Sequence, residues 1–231
     1  MHQATAILIF TRTSGAEAKH KLSGDRLSYG TNQKICAELI AKTRRVAQET
    51  GFPVIEINSD QQIGSSLGAR LSNSIHSVFQ AGFEQVLVIG TDTPAISSGL
   101  LQDAAAQISP TQASLGASKD GGAYLIGFHK KQFHKTSFSN LDWESEFVFE
   151  GLVDYFLTKG KSIHYTKTLQ DIDSVYDLMQ FLKQNSATLF AITVQQLINS
   201  TPHSVKPFIA AFQKNKGYNL YHYNRPPPFQ F

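Results

Sequence analysis

Short, unbroken apolar runs alternate with stretches of helical period through the first 184 residues, and this alternation constrains the fold more than any other feature. Val86–Gly90 (VLVIG) is the clearest run, ending in a sharp turn at Thr91–Pro94. Ala4–Thr11, Phe52–Ile57, Ala113–Ser118, Ala123–Phe128 and Ser162–Thr168 read as further strands. A run without polar alternation fits a strand covered on both faces. Between the runs, Thr31 or Asn32 can cap a helix carrying Ile35, Leu39 and Ile40, which Gly51 ends. Ser65 or Ser66 opens another, with Leu67, Leu71, Ile75 and Val78 on one stripe and Gly82 as its stop. Ser98–Ile108 and Glu144–Lys159 are helical by period, and Ser174 caps a helix carrying Val175, Leu178, Met179 and Leu182. Strands separated by such helices pair in parallel through right-handed crossovers, with helices on both faces. The expected class is α/β, with a mostly parallel central sheet between two layers of helices.

This body covers residues 1–184, and residues 185–231 form a C-terminal extension of different character. Phe190–Ile198 reads as one more helix, followed by GYNLYHYNRPPPFQF, aromatic and without useful period. The extension is expected to pack on the body or on a second subunit, a route to a homodimer. It holds Lys206, Lys214, Lys216 and Arg225 and no carboxylate, a local +4 within a total of +3, so the body carries −1. A near-neutral body has no electrostatic footprint for nucleic acid. No apolar stretch approaches the roughly 18 residues of a membrane span, and the first apolar run reads as a strand rather than a leader. The single Cys36 excludes an internal disulfide and any multi-cysteine zinc site, and fits a reducing cytoplasm. The P-loop signature, G-x-G-x-x-G after the first strand, H-E-x-x-H and G-x-S-x-G are all missing. Their absence argues against P-loop NTPases, dinucleotide oxidoreductases, the common zinc proteases and esterases.

Acids and glycines at strand ends remain. In open α/β sheets ligands bind outside the carboxyl ends of the strands. Asp92, two residues past VLVIG, sits at such an end, where a carboxylate can hold a hard cation such as Mg²⁺ or Mn²⁺, or cap the following turn. Asp120, Gly121 and Gly122 lie between two runs, where paired glycines let backbone approach a ligand or make a hairpin turn. Of Asp171 and Asp173, alternation lets only one face a site with Asp92. Arg12, Lys19 and Lys21 supply cations able to meet phosphate.

The segments ILIFTRTSGAEAKHKL, QIGSSLGARL, VLVIGTDTP, DGGAYLIGF, LDWESE and DIDSVYDL occur in one order over about residues 5–184. In that order they resemble a bacterial GT-A-type family of unknown function, provisionally classed with glycosyltransferases in the nucleotide-diphospho-sugar transferase superfold. The resemblance implies a Rossmann-like three-layer sandwich with a mostly parallel central sheet that binds a nucleotide over its first half. Asp92 would match the metal-binding acid and Asp173 a second acid near the metal. Lys19 and Lys21 would match the cationic loop facing the phosphates, and Asp120, Gly121, Gly122 and Trp143 would line the acceptor side. It therefore implies a metal-dependent transferase that takes a sugar from a nucleotide-sugar, with Mg²⁺ or Mn²⁺ as cofactor. Asp120 would act as base if configuration inverts. Nucleotidyl transfer from a nucleoside triphosphate to a phosphorylated acceptor is the alternative on the same fold, and a non-catalytic nucleotide-binding protein is a third. The first loop departs from the family pattern: Ser14-Gly15 stands where the family has Pro-Gly, and Lys19-His20-Lys21-Leu22 where it has Lys-Thr-Arg-Leu. Lys21 thus replaces a bidentate arginine with a point charge. Trp143-Glu144-Ser145 replaces Trp-Ser-Thr, and Gly122-Ala123 stands in place of Gly-Gly-Tyr.

Overall fold

A computed structural model describes residues 5–22 and 27–200. The aromatic and basic segment past residue 200, and the dimer contact expected of it, lie outside the described residues. The strands are β1 (Thr5–Phe10), β2 (Val54–Ile57), β3 (Gln85–Ile89), β4 (Gln112–Ala117), β5 (Ala123–His129) and β6 (Ser162–Tyr165). The helices are α1 (Ser14–Glu17), α2 (Tyr29–Glu49), α3 (Leu67–Gln80), α4 (Ser98–Ala106), α5 (Lys135–Ser139), α6 (Val148–Leu157), α7 (Val175–Gln184) and α8 (Leu189–Asn199). They fall in two compact units, one of residues 5–13 and Ile40–Asp171, the other of Ser14–Leu39 and residues 172–200.

The first unit is built on a six-stranded sheet in the order β2-β1-β3-β5-β4-β6. β1 pairs in parallel with β2 and β3, and β4 with β6, while β5 runs antiparallel to both neighbours. The expected α/β class with a mostly parallel sheet is therefore what forms. β5 is reversed because residues 118–122 make only a tight turn, and a parallel return needs a crossover of a dozen residues or more. Successive side chains of a strand point to opposite faces. Ala6, Leu8, Phe10, Val86 and Val88 accordingly pack with Leu71 and Ile75 of α3 and Leu152 and Phe156 of α6. Ile7, Ile9, Leu87 and Ile89 pack on the other face with Leu101 and Ala104 of α4 and with Val46 and Ala47 near the end of α2. Both sets are buried, which is why the strands carry no polar alternation.

Helix boundaries follow local chemistry. Ser66 Oγ accepts the Ala69 N–H at 3.1 Å and opens α3, and Gly82, at φ +97°, follows its end. α6 starts at Val148, four residues later than the periodicity of Glu144–Lys159 suggests. Residues 144–147 are taken up by turns instead: Ser145 N–H donates to Asp142 O (3.3 Å) and Phe147 N–H to Ser145 Oγ (3.2 Å).

The second unit gathers Leu22, Ile35, Leu39, Ile172, Leu178, Leu182, Phe190 and Val194 into its own core. The cap of α2 is Ser28, whose Oγ accepts the Thr31 N–H at 3.1 Å, one turn earlier than expected. Asn32 is diverted: its Nδ2 donates to Ala18 O (2.8 Å) and Lys21 O (2.6 Å), tying the first loop to the helix. Ser174 caps α7 as expected, and Asp177 completes a capping box by accepting the Ser174 N–H at 3.0 Å. Among the described residues no helix is long and apolar enough to cross a membrane.

Candidate functional site

β1 lies between β2 and β3, so the chain leaves its carboxyl end in one direction toward β2 and β3 lies on the other side. Such a switch point opens a crevice beyond the strand ends. Here Thr11 and Thr91, the residues just past β1 and β3, bring their hydroxyls to 3.0 Å and close the floor of the crevice. Arg12 and Asp92 come next along the two strands.

Two further segments reach the same edge of the sheet. β5 is antiparallel, so its first residues pair beside the end of β3, Leu125 opposite Ile89. The turn carrying Asp120 is therefore at that edge. After β6 the chain bridges Ser118 through Leu169, with Lys119 N–H donating to Leu169 O at 3.0 Å and Leu169 N–H to Ala117 O at 3.1 Å. This pairing delivers Asp171, whose Oδ1 accepts a short hydrogen bond from Thr93 Oγ1.

Asp171 is the perturbed group of the site. Its residue keeps some exposure, but its carboxyl end is densely surrounded. Burial and then the neighbouring Asp92 charge push its pKa well above the ordinary 3.8, with Asp120 adding to the effect; the Ser118 and Thr93 hydroxyls act against it. Two carboxylates held together in a crowded site favour either a shared proton or a cation. The donors present are carboxylate and hydroxyl oxygens, the set that Mg²⁺ and Mn²⁺ prefer. No third His, Cys, Asp or Glu among the described residues completes a metal-holding group with them.

Asp120 is fixed by its own turn. Its Oδ1 accepts the Gly122 N–H at 3.1 Å, and Ser118 N–H donates to Gly122 O at 2.8 Å. Gly121 takes φ +96°, and a Cβ placed there would come within 2.1 Å of Glu146 O. Glycine is required on both counts. Gly121 O also accepts the Phe149 N–H at 3.1 Å, which clamps the turn to the start of α6.

Trp143, Lys21 and Asp173 are each engaged by protein groups. Trp143 is 3% exposed; its Nε1 donates to Phe138 O at 2.9 Å and its ring lies 4.9 Å from that of Phe138. It is chiefly a core residue, presenting an edge rather than a face. In the second unit Lys21 is 1% exposed, with Nζ 2.7 Å from Asp173 Oδ1 and 3.7 Å from Glu17 Oε1. Two carboxylates already answer the charge expected to face phosphate. Asp173, read as the second metal acid, spends Oδ1 on that ammonium, and the acid brought to Asp92 is Asp171. Lys19 of the same loop is exposed. Thr11, Thr91, Thr93 and Ser118 went unremarked in the sequence, although the hydroxyls flanking Asp92 in GTDTP were a visible signal.

The profile of a bacterial family described as "Uncharacterized protein conserved in bacteria (DUF2064)" matches residues 27–145, more than half of the chain. The chain belongs to this family. The DUF2064 match spans β2 to β5 and includes Asp92, Asp120, Gly121, Gly122 and Trp143. A crystal structure from Desulfovibrio desulfuricans G20, provisionally assigned as a nucleotide-diphospho-sugar transferase, is similar with a TM-score of 0.76. The match covers 86% of this chain and 98% of that one at 20% identity, which shows a shared fold. A Methanothermobacter nucleotidyl transferase is similar at TM-score 0.46, with 15% identity over 79% of this chain and 99% of that one. A glycosyltransferase involved in glycosylation of the major capsid of PBCV-1 is similar at TM-score 0.42, with 11% identity over 84% and 98%. No curated protein matches the chain. Family and fold agree with the resemblance carried by the six sequence segments.

Proposed function

We propose that the chain is a divalent-metal-dependent transferase using a nucleotide-activated donor, and that it transfers a sugar from a nucleotide-sugar. The observation that carries this reading is the meeting of Asp92 and Asp171 beyond β3, with Asp171 driven toward protonation first by burial and then by its neighbour. The assignment of the Desulfovibrio protein on the same fold supports it. Asp92 and Asp171 would hold Mg²⁺ or Mn²⁺, which when bound supplies positive charge against the diphosphate of the leaving nucleotide. Arg12, just past β1, offers a planar guanidinium suited to phosphate oxygens. Asp120, whose Oδ1 accepts the Gly122 N–H, would take the acceptor proton in an inverting transfer. Lys19 is proposed as a phosphate contact on its charge and exposure alone.

The test is release of nucleoside diphosphate from a panel of nucleotide-sugars with Mn²⁺. Asp92→Asn should abolish release while the protein stays folded and melts no lower than the parent; undiminished release by that variant overturns the assignment. Nucleotidyl transfer runs on the same fold, and pyrophosphate release from a triphosphate would replace glycosyl transfer with it. Metal and nucleotide binding without turnover on either class would leave a non-catalytic nucleotide-binding protein.

A further inference from the structure

A polar groove on the first unit lies apart from the acids, between the opening turns of α3 and the segment running from α5 to Glu144. It consists of two clefts that share Ser139. The larger, about 230 Å³, is lined by Ser72, Asn73, Lys135, Thr136 and Asn140. The second, about 200 Å³, lies between Ser66 and Gly68 on one side and Asp142 to Glu144 on the other. Gly68 sets the spacing of the walls: a Cβ there would stand 2.1 Å from Ser139 O and 2.5 Å from Trp143 Cδ1.

Ser72 is the telling residue. It is fully buried, it borders the larger cleft, and its Oγ has no hydrogen-bond partner among the described residues. Buried hydroxyls are nearly always satisfied, and this one is unmet on a residue that borders the cleft. Apart from Lys135 and Ala69, the larger cleft is lined by neutral hydroxyls and amides, groups that both donate and accept, while Leu67, Leu141 and Trp143 give the second cleft an apolar wall. Lys135 stands at one end and Asp142 and Glu144 at the other, and those carboxylates oppose a phosphate at the α3 N-terminus. The carboxylate end also leads to the acids. Two residues beyond Glu144, Glu146 O packs against Gly121, the neighbour of Asp120.

We infer that this groove binds the acceptor of the transfer, and that the acceptor is a neutral polyhydroxylated compound, a sugar or polyol. The acceptor role rests on the transferase reading above; the binding chemistry rests on the groove.

Saturation-transfer NMR of D-glucose, D-galactose and myo-inositol with the full chain tests it, alongside Ser72→Ala and Thr136→Trp. Ser72→Ala removes only an unmet hydroxyl, and Thr136 is exposed, so both variants should keep the parent melting temperature. At least one of the three compounds should bind the parent. Affinity should fall about tenfold in Ser72→Ala, the scale of one lost hydrogen bond, and binding should vanish in Thr136→Trp, where the indole fills the cleft. Binding of none of the three, equal affinity in all proteins, or displacement of the compound by inorganic phosphate would each overturn the inference. Thermal shifts with nucleoside diphosphates and Mn²⁺ separate the two readings. A nucleotide response without polyol binding removes the groove and leaves the transferase. Polyol binding without any nucleotide response leaves a sugar site and removes the transferase, and with it the acceptor role.

Discussion

Asp171 gives up its proton at higher pH than a free aspartate because burial disfavours its charged form and, after that, because ionising it places a second negative charge beside Asp92. In the unfolded chain the group ionises near 3.8. The folded protein therefore holds the proton more tightly, and this contribution to stability is complete below that pH and lost as pH rises through the raised value. A bound cation removes the repulsion, so the rise in melting temperature caused by Mn²⁺ should grow from acidic to neutral pH. Asp171→Asn should melt higher than the parent at neutral pH without metal and lose most of the Mn²⁺ response; scanning calorimetry at several pH values checks both. Cys36 is the other perturbed side chain of note, pushed up to about 12 by burial and the Glu17 charge. Its thiol should resist alkylation in the folded protein at pH 8 and react at once in denaturant. Little of this was readable from sequence. Strand alternation allowed only one of Asp171 and Asp173 at the site and the resemblance pointed to Asp173, but residues 171–173 are not in a strand, so the alternation rule had no hold there. Lys21 looked like a loop cation because its partner Asp173 lies 152 positions away.

The elements were far more legible than their ends. Buried strands announce themselves by unbroken apolar runs, and α3 by its stripe and the Ser66 cap. α5 carries no comparable signal: it is five residues long and holds its place through Phe138, packed among Phe128, Phe133, Trp143 and Tyr155. The late start of α6 reflects a tertiary demand, since residues 144–147 must meet the turn at Gly121. Gly121→Ala tests that demand. The forced φ and the clash with Glu146 O should cost about 1–3 kcal/mol, lower the urea midpoint, and disturb Asp120 enough to reduce turnover. Ser174→Ala should cost about 1 kcal/mol through loss of the α7 cap, with no effect on nucleotide release.

At the scale of the whole molecule the α/β class followed from periodicity alone. The grouping of Ser14–Leu39 with the C-terminal helices did not, because it depends on contacts such as Leu22 N–H to Asp173 O at 3.0 Å, between segments far apart in sequence. The first unit has its own reporter. The single tryptophan, Trp143, lies in the first, so its fluorescence follows that unit while circular dichroism follows both. Lys21→Ala would take the ammonium away from Asp173 and the buried Glu17, a loss of about 3–5 kcal/mol for a buried pair. The dichroism midpoint in urea should fall by more than the fluorescence midpoint. Coincident shifts would show that the loss spreads through both units.

The hydrogen bond from Thr93 to Asp171 joins positions 78 apart, whereas β4 and β5 close through a tight turn. Contacts of short loop length tend to form early, and distant ones late. The two acids should therefore still be apart at the folding barrier and meet only on its native side. Relieving their repulsion then acts on escape from the native state rather than on arrival. In stopped-flow experiments without metal at neutral pH, Asp171→Asn should unfold more slowly than the parent and refold at the parent's rate, so the acid pair acts as a built-in limit on how long the empty protein stays folded.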